Sequence, residues 1–237
     1  MRVLICSIIR NRKEFLFNWK DLILCLADEN PEITFDLSVY ENDSTDGTQE
    51  YLKQLLPELR KELNEVVITM GHEQTPYFPS VKDEQRCHQL ATARNQCLEQ
   101  VLLEEYDKVI FFEPDIDFEP EDFSVLLNTD DDICSPYSLL PSRDWIYDCW
   151  ATRISFKDQE FTGPIYDEMP NRLDVVSTFN CFCVYNAKPF IEGARFSGIN
   201  PITKSWDCDT TAICAEFNRR GYTKVGLYKI PLTHFRV

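Results

Sequence analysis

The sequence has few glycines, no long apolar run and no block of basic residues. Only seven of its 237 residues are glycine, so packing should hold its long loops, with little help from special backbone turns. No stretch of about 18 apolar residues occurs, which argues against a membrane-spanning helix. The formal charge is −16 and lysines and arginines do not cluster, so no nucleic-acid partner is expected.

The ten cysteines include no Cys-x-x-Cys pair, which argues against a zinc site and against a small disulfide framework. Most of them lie among apolar residues, where a free cysteine behaves as a small hydrophobe, and this predicts a reducing compartment. The apolar run at residues 3–9 is short and is followed by charges without a cleavage site, unlike a signal peptide. The sequence therefore predicts a cytoplasmic chain with no transmembrane segment.

Strand and helix patterns alternate through the first half of the chain. This alternation predicts an α/β fold with a single doubly wound, mostly parallel sheet flanked by helices. Thr45 or Asp46 can cap the second helix. Apolar runs predict strands at residues 2–9, 33–40, 66–69 and 109–112. Apolar residues at helical spacing predict helices at residues 12–27, after residue 48, and at residues 81–103.

The pattern becomes irregular after about residue 130. We find no linker or repeat, so residues 1–237 are predicted to form one domain with an irregular C-terminal half. A helix is predicted at residues 210–220, ending at Gly221. Residues 144–155 also have a helical pattern, and residues 175–176, 182–185 and 225–230 have strand patterns.

Polar residues follow three of the predicted strands, at residues 7–11, 41–48 and 113–117. In open α/β sheets ligands bind beyond the carboxyl ends of the strands, so these residues should converge on one crevice. The chain has neither the G-x-G-x-x-G motif of dinucleotide folds nor a P-loop motif. In the stretch ENDSTDGT, Asp46 and Thr48 are explained by helix capping, whereas Glu41 and Asn42 could contact a base or ribose.

An acidic stretch follows the fourth predicted strand. In KVIFFEPDIDFEPEDF, six carboxylates lie within residues 113–122, and Glu113, Asp115 and Asp117 alternate, so an extended chain would direct them to one side. Mg²⁺ and Mn²⁺ take oxygen ligands and keep positions open for substrate phosphates. Asp115 and Asp117 are therefore candidate metal ligands. The alternative is a solvated acidic turn before a helix.

Several stretches in a fixed order resemble one family of enzymes. They are ENDSTDGT at residues 41–48, LATARN at 90–95 after Arg86, KVIFFEPDIDFEPEDF at 108–123, YDCWATR at 147–153, and NCFCVY at 180–185 with Pro189-Phe190 and Arg195-Phe196. The first is similar to the nucleotide-sugar domain of glycosyltransferases with the GT-A fold. The set resembles the fungal capsule-associated α-1,3-mannosyltransferases of glycosyltransferase family 69, over most of residues 3–215. Two departures are Pro114-Asp115, where members usually carry Asn-Asp, and the lack of the family's membrane anchor.

The resemblance implies a nucleotide-sugar-binding half at residues 1–128 and an acceptor-binding half at residues 129–237. Asp115 would hold Mn²⁺ or Mg²⁺ on the donor diphosphate, with Asp117 or Glu113 as second ligand or ribose partner. His234, after the last strand, would complete the metal shell, since imidazole suits Mn²⁺. The exact ligand stays open among Glu113, Asp115 and Asp117.

Further roles follow from the same resemblance. Glu41 and Asn42 would contact the nucleoside, and the arginines Arg10, Arg86 and Arg94 would meet its phosphates or base. Asp207 and Asp209 precede a predicted helix, where an acid can orient or deprotonate the acceptor hydroxyl. The alternative is that Asp209 is only a helix cap, and for Arg94 that it is an exposed helix residue.

The predicted function is a metal-dependent glycosyltransferase that moves a hexose, mannose from GDP-mannose with retention, to a hydroxyl of a glycan acceptor. One alternative is an inverting transferase of the same fold that uses a UDP-sugar, with Asp209 as the base. A nucleotidyltransferase would need a glycine-rich loop after the first strand, where this chain has RNRKEF. Another alternative is a non-catalytic carbohydrate- or metal-binding module, which should not bind a nucleotide.

Overall fold

The computed structural model describes residues 1–141 and 145–235. The strands are β1 (Arg2–Ile9), β2 (Thr34–Asn42), β3 (Val66–Gly71), β4 (Lys108–Phe112), β5 (Ile116–Asp117), β6 (Ile133–Leu139), β7 (Arg172–Asp174), β8 (Phe182–Asn186) and β9 (Val225–His234). The α-helices are α1 (Leu16–Asp28), α2 (Thr48–Glu62), α3 (Glu84–Glu99), α4 (Pro120–Asn128), α5 (Lys188–Ile191) and α6 (Asp209–Arg219).

These strands form one sheet in the order β3-β2-β1-β4-β8-β6-β9-β5, and β7 pairs with β9. The first four strands are parallel, whereas β8 runs antiparallel to both of its neighbours. β6 and β9 form a further long parallel ladder. The predicted α/β fold, a single mostly parallel sheet flanked by helices, is confirmed.

Apolar layers cover both faces of the sheet. Along β1, Val3 and Ile5 face a core that contains side chains of α1, α2 and α4, whereas Leu4 and Cys6 face a core with α3 and α6. Successive side chains of a strand point to opposite faces, so a central strand buried on both must be apolar throughout. This explains why the strands of the first half were predictable from their composition.

The long helix predicted at residues 81–103 is shorter in the structure. Asp83 is extended, and its side chain accepts a hydrogen bond from the backbone N–H of Arg86, so α3 begins at Glu84. It ends at Glu99, and a separate 3₁₀ turn follows at Leu103–Glu105. An N-cap of this kind satisfies a free N–H of the first turn and fixes where the helix starts.

The second half differs more from the predictions. Residues 145–155 form turns and not the predicted helix, and residue 144 lies outside the described residues. The reason is that backbone groups in this stretch bond to distant elements, as in the β-bridge between Arg153 and Ser177. The strand predicted at residues 175–176 is found just before, as β7. β6 was not predicted, because Pro136 breaks its pattern, and the register with β9 shifts at that residue.

Two expectations from the composition concern the pairing of the cysteines and membrane-spanning helices. All ten cysteines are free. Among the residues that the structure describes, no helix is long and apolar enough to cross a membrane.

Candidate active site

The parallel strands β1, β2 and β4 end at the same edge of the sheet. Beyond this edge lies a cavity of about 410 Å³. Its wall includes three arginines, three acids and two amides, and several of its side chains come from α3. The predicted crevice therefore exists, and its arginines could bind an anion. The residues predicted from sequence that line it are Arg10, Asn42, Arg86, Glu113 and Asp115.

Part of the cavity wall is a hydrogen-bonded polar group, of which sequence reasoning predicted only Asn42. The Tyr40 hydroxyl donates to Glu73 Oε1 at 3.0 Å, and Asn42 Nδ2 donates to Thr75 Oγ1 at 2.9 Å. Burial, and then the bond to Glu73, raises the pKa of Tyr40 to about 12. Gln89 also lines the cavity, and its buried Oε1 has no hydrogen-bond partner among the described residues. This part of the wall therefore offers acceptors to a ligand with N–H or O–H groups.

Arg10 and Glu41 are engaged in holding this region. Arg10 Nη2 donates to the carbonyl of Thr75 at 2.6 Å, which fixes the loop after β3 against the end of β1. Glu41 is fully buried, and its Oε1 accepts the Ser44 N–H at 3.0 Å. Glu41 is not among the described residues that line the cavity, so the nucleoside contact predicted for it stays a prediction.

An acidic pair, Glu113 and Asp115, also lines the cavity, and His234 lies beside it. Asp115 Oδ2 accepts a hydrogen bond from Arg12 Nε at 2.9 Å and lies 3.7 Å from His234 Nε2. Glu113 Oε1 accepts one from Arg94 Nη2 at 3.3 Å. Burial, and then the charge of Glu113, raises the pKa of Asp115. Burial opposes the ionisation of Glu113, but Arg94 and His234 outweigh it and lower its pKa.

Glu113, Cys181 and His234 offer ligand atoms that all lie within 4.8 Å of one another. The pairing of Ile116 with His234 brings the histidine to the acids, and the Tyr147 ring stacks on it at 3.9 Å between centroids. Carboxylate oxygens and an imidazole nitrogen suit Mn²⁺ or Mg²⁺. Burial raises the pKa of Cys181 well above its ordinary value, so its thiol is a poor ligand by comparison. The donor set therefore fits a hard divalent cation.

Asp117 is not part of this cluster. The chain bends at residues 114 and 115, and Asp117 then lies in β5 with an exposed side chain opposite Thr233. The prediction that Glu113, Asp115 and Asp117 point the same way is therefore wrong, because it assumed an extended chain.

Arg94 is buried below the cavity and does not line it. Its Nε donates to Asp209 Oδ2 at 2.8 Å, and its guanidinium lies 4.3 Å from the centroid of the Phe179 ring. Together with the contact to Glu113, this makes Arg94 a bridge between two candidate site acids. This burial does not support the predicted direct contact of Arg94 with the donor phosphate. It does not support the alternative either, in which Arg94 is an exposed residue of the helix.

Asp209 and Asp207 have different surroundings. Asp209 is the first residue of α6 and is buried, while Cys208 occupies the cap position. Asp207 accepts two hydrogen bonds from Arg153, from Nη1 at 3.0 Å and from Nη2 at 2.6 Å. Asn200 Nδ2 donates to it as well, at 3.0 Å. With both oxygens engaged, Asp207 anchors two loops, and this argues against the catalytic role predicted for it.

Asp148 is an acid that sequence reasoning did not single out, although it lies in the stretch YDCWATR. The backbone N–H of Asn180 donates to its Oδ2 at 2.9 Å. Burial raises the pKa of Asp148 to about 6, and the Asn180 bond opposes that rise only in part. Asp148 is therefore more readily protonated than an ordinary aspartate.

The sheet has the order of a GT-A-like fold, and a cavity lined by arginines and a cluster of acids with a histidine lie at its strand ends. Residues 2–216 match the sequence model of the family described as Cryptococcal mannosyltransferase 1, and the chain belongs to that family. No curated protein sequence matches the chain significantly.

Solved structures with this fold include two glycosyltransferases. S. aureus TarS 1-349 superposes with a TM-score of 0.59 at 12% identity, over 99% of this chain and 60% of that chain. The structure of the same protein in complex with UDP-GlcNAc superposes with a TM-score of 0.57 at 14% identity. Mannosyltransferase PcManGT from Pyrobaculum calidifontis, in complex with GDP-Man and Mn²⁺, gives 0.53 at 15% identity, over 97% of this chain and 57% of that chain. At these identities the likeness establishes the fold, and this chain spans about three fifths of the solved chains.

Proposed function

We propose that this glycosyltransferase moves a mannosyl residue from GDP-mannose, with retention at the anomeric carbon, to a hydroxyl group of a glycan. The observation that carries the proposal is a cavity lined by hydrogen-bond acceptors, arginines and an acidic pair, one acid of which lies 3.7 Å from a histidine. These groups suit a nucleoside, a diphosphate and a metal-bound leaving group. Family membership supports mannose as the sugar.

Different residues of the cavity would contact different parts of the donor. Tyr40, Glu73 and Gln89 would face the base, and Asn42 would stay near the ribose. Arg86 and Arg12 would approach the phosphates, because their guanidinium groups supply local positive charge on an otherwise acidic chain.

Glu113, Asp115 and His234 would hold the divalent cation. When bound, a cation at this place stabilises the negative charge that develops on the leaving diphosphate. Arg12 orients Asp115 and Arg94 orients Glu113, so both acids are already positioned in the protein alone. Asp209, fixed by Arg94, remains the acid that we propose orients the acceptor hydroxyl.

A UDP-sugar donor with inversion is the second candidate, since TarS, with the same fold, was solved with UDP-GlcNAc. The division into donor and acceptor halves at residue 128 and the cytoplasmic location also remain proposals. Ten free thiols support the location, because a reducing compartment keeps thiols unpaired.

Thermal unfolding with GDP, UDP and CDP, each with and without Mn²⁺, tests the proposal. A ligand at about 100 times its Kd adds roughly 2.7 kcal/mol of stability. We expect GDP with Mn²⁺ to raise Tm most, and Asp115→Ala to abolish the Mn²⁺-dependent part. Asp117→Ala is the matched control, because this exposed acid lies outside the cluster, and it should keep the full shift.

The outcomes separate the candidates. A shift with UDP alone would replace the donor, and the anomeric configuration of the product, read by NMR, would distinguish retention from inversion. If no nucleotide changed Tm, the transferase proposal would be refuted in favour of a non-catalytic module. A loss of the shift in Asp117→Ala equal to that in Asp115→Ala would refute the assignment of the metal ligands.

A further inference from the structure

Two tryptophans form an exposed pair in the second half of the chain. Trp206 keeps 41% of its surface exposed, and Trp150 is partly buried beside it. Their ring centroids are 6.3 Å apart, with the planes inclined at 72°. Large aromatic side chains normally bury their surface in a core, so an exposed pair of indoles suggests a surface for binding.

A buried ion pair holds the two rings in place. Arg153 binds Asp207 with two hydrogen bonds, and Arg153 Nε also donates to the Trp150 carbonyl at 3.0 Å. Trp206 directly precedes Asp207 and bridges to Ile199 across a short hairpin. Buried ion pairs add little net stability but fix geometry, and here the geometry fixed is that of the tryptophan pair.

The pair is connected to the candidate active site from two sides. Lys82 Nζ lies 5.9 Å from the centroid of the Trp150 ring, and four residues further along Arg86 lines the cavity. On the other side, Asp209 follows Trp206 by three residues and is bound by Arg94, which also holds Glu113. The segments that carry the two indoles therefore lead directly into residues of the candidate active site.

We propose that Trp150 and Trp206 form a platform for a pyranose ring of the acceptor glycan; this inference rests on the proposed transferase function. A pyranose has a face of C–H groups that packs on an indole and a rim of hydroxyl groups that needs polar partners. Lys82 and Glu160, whose charged groups are 2.6 Å apart, supply such partners next to the Trp150 ring. Apolar rings flanked by charged groups suit a sugar better than an apolar protein surface.

Direct binding of saccharides tests the platform without requiring catalysis. The probes are methyl α-mannoside, methyl β-galactoside and mannobiose, titrated while the heat of binding is recorded by calorimetry. We expect at least one of them to bind the wild type, and Trp206→Ala and Trp150→Ala to weaken binding at least about tenfold, or about 1.4 kcal/mol. Trp206→Phe, which keeps an aromatic face, should restore most of the affinity.

Trp145→Ala is the matched control. Trp145 is exposed to a similar degree, 39%, but packs against Phe161 outside the pair, so this variant should bind saccharides like the wild type. In steady-state transfer, the two platform variants should raise the acceptor KM while the donor KM changes by less than about twofold.

The outcomes distinguish this inference from the proposed function. If the wild type responds to none of the saccharides, or if Trp150→Ala and Trp206→Ala bind like Trp145→Ala, the platform is refuted even when nucleotides raise Tm. If saccharide binding depends on the pair but no nucleotide raises Tm, the platform stands and the transferase proposal fails. Equal melting temperatures of the three alanine variants exclude unfolding as the cause of a loss.

Discussion

Replacing Arg94 by methionine should strongly destabilise the protein, because this one buried cation serves two acids. The guanidinium contacts Asp209 at 2.8 Å and Glu113 at 3.3 Å, and it is 3% exposed. Methionine keeps an unbranched apolar stem but lacks the guanidinium group. The variant therefore removes the charge and its hydrogen bonds while the stem stays packed.

The expected magnitude follows from the geometry. Removing one partner of a buried ion pair leaves an uncompensated charge and typically costs about 3–5 kcal/mol. Lost contact of the guanidinium with the Phe179 ring adds about 0.5–2 kcal/mol. Since the stability of a whole domain is about 5–15 kcal/mol, Arg94→Met should unfold at a much lower urea concentration than the wild type.

Urea unfolding at pH 7 measures this difference, and two further variants interpret it. The double variant of Arg94→Met with Asp209→Asn removes one of the two stranded charges, and residues in direct contact couple by about 0.5–3 kcal/mol. It should therefore be more stable than Arg94→Met alone. Arg86→Met is the control on the same helix, where a cavity-lining arginine should change stability by less than about 0.5 kcal/mol.

Two results would contradict this reasoning. A loss below about 1 kcal/mol in Arg94→Met would mean that water or local rearrangement solvates both acids, against the burial seen here. A double variant no more stable than the single one would mean that Asp209 does not depend on Arg94 for its charge.

Three further predictions concern other parts of the chain. The pKa of Asp148 is raised to about 6, so the folded state favours its protonated form. As pH falls from 7 towards 4, the wild type should therefore gain stability relative to Asp148→Asn, by at most about 3 kcal/mol. Urea unfolding of both proteins across this pH range measures the difference, and parallel stability curves would contradict the prediction. In Gly71→Ala the new Cβ would lie 2.2 Å from the Tyr40 hydroxyl, so the tyrosine ring must move. The increase in Tm caused by the nucleotide should then be smaller than in the wild type, whereas an unchanged increase would mean that the base binds elsewhere. Cys25 is exposed, so one thiol should react rapidly with a disulfide reagent in the native state and ten after unfolding, and Cys25→Ser should remove the rapid phase.

The first half of the fold could be predicted because its information is local. Strands buried on both faces are apolar along their whole length, and Asp46, which accepts hydrogen bonds from the N–H and hydroxyl of Thr48, marks the start of α2 in the sequence itself. The second half depends on contacts between distant residues. Asn180, for example, accepts hydrogen bonds from the N–H and hydroxyl of Ser138, and its amide donates to Thr152, and no sequence period records such a network.

The site was predictable only where strand ends carry unusual residues. Arg10, Asn42 and Asp115 lie at strand ends or within three residues of them, and the structure places all three at the cavity. Glu73 and Gln89 reach the same cavity from a loop and a helix without a motif, so nothing in the sequence distinguishes them from surface residues.

The acidic stretch after β4 is tolerated because its carboxylates have separate environments. Glu113 and Asp115 each have an arginine, Arg94 and Arg12, whereas Asp117 reaches solvent. A divalent cation is therefore not needed to make this strand end stable in the folded chain. The pKa of Asp115 remains raised, first by burial and then by the charge of Glu113, so a further positive charge nearby would favour its ionised form. The divalent cation that we propose for this site would supply that charge when it binds with the substrate diphosphate.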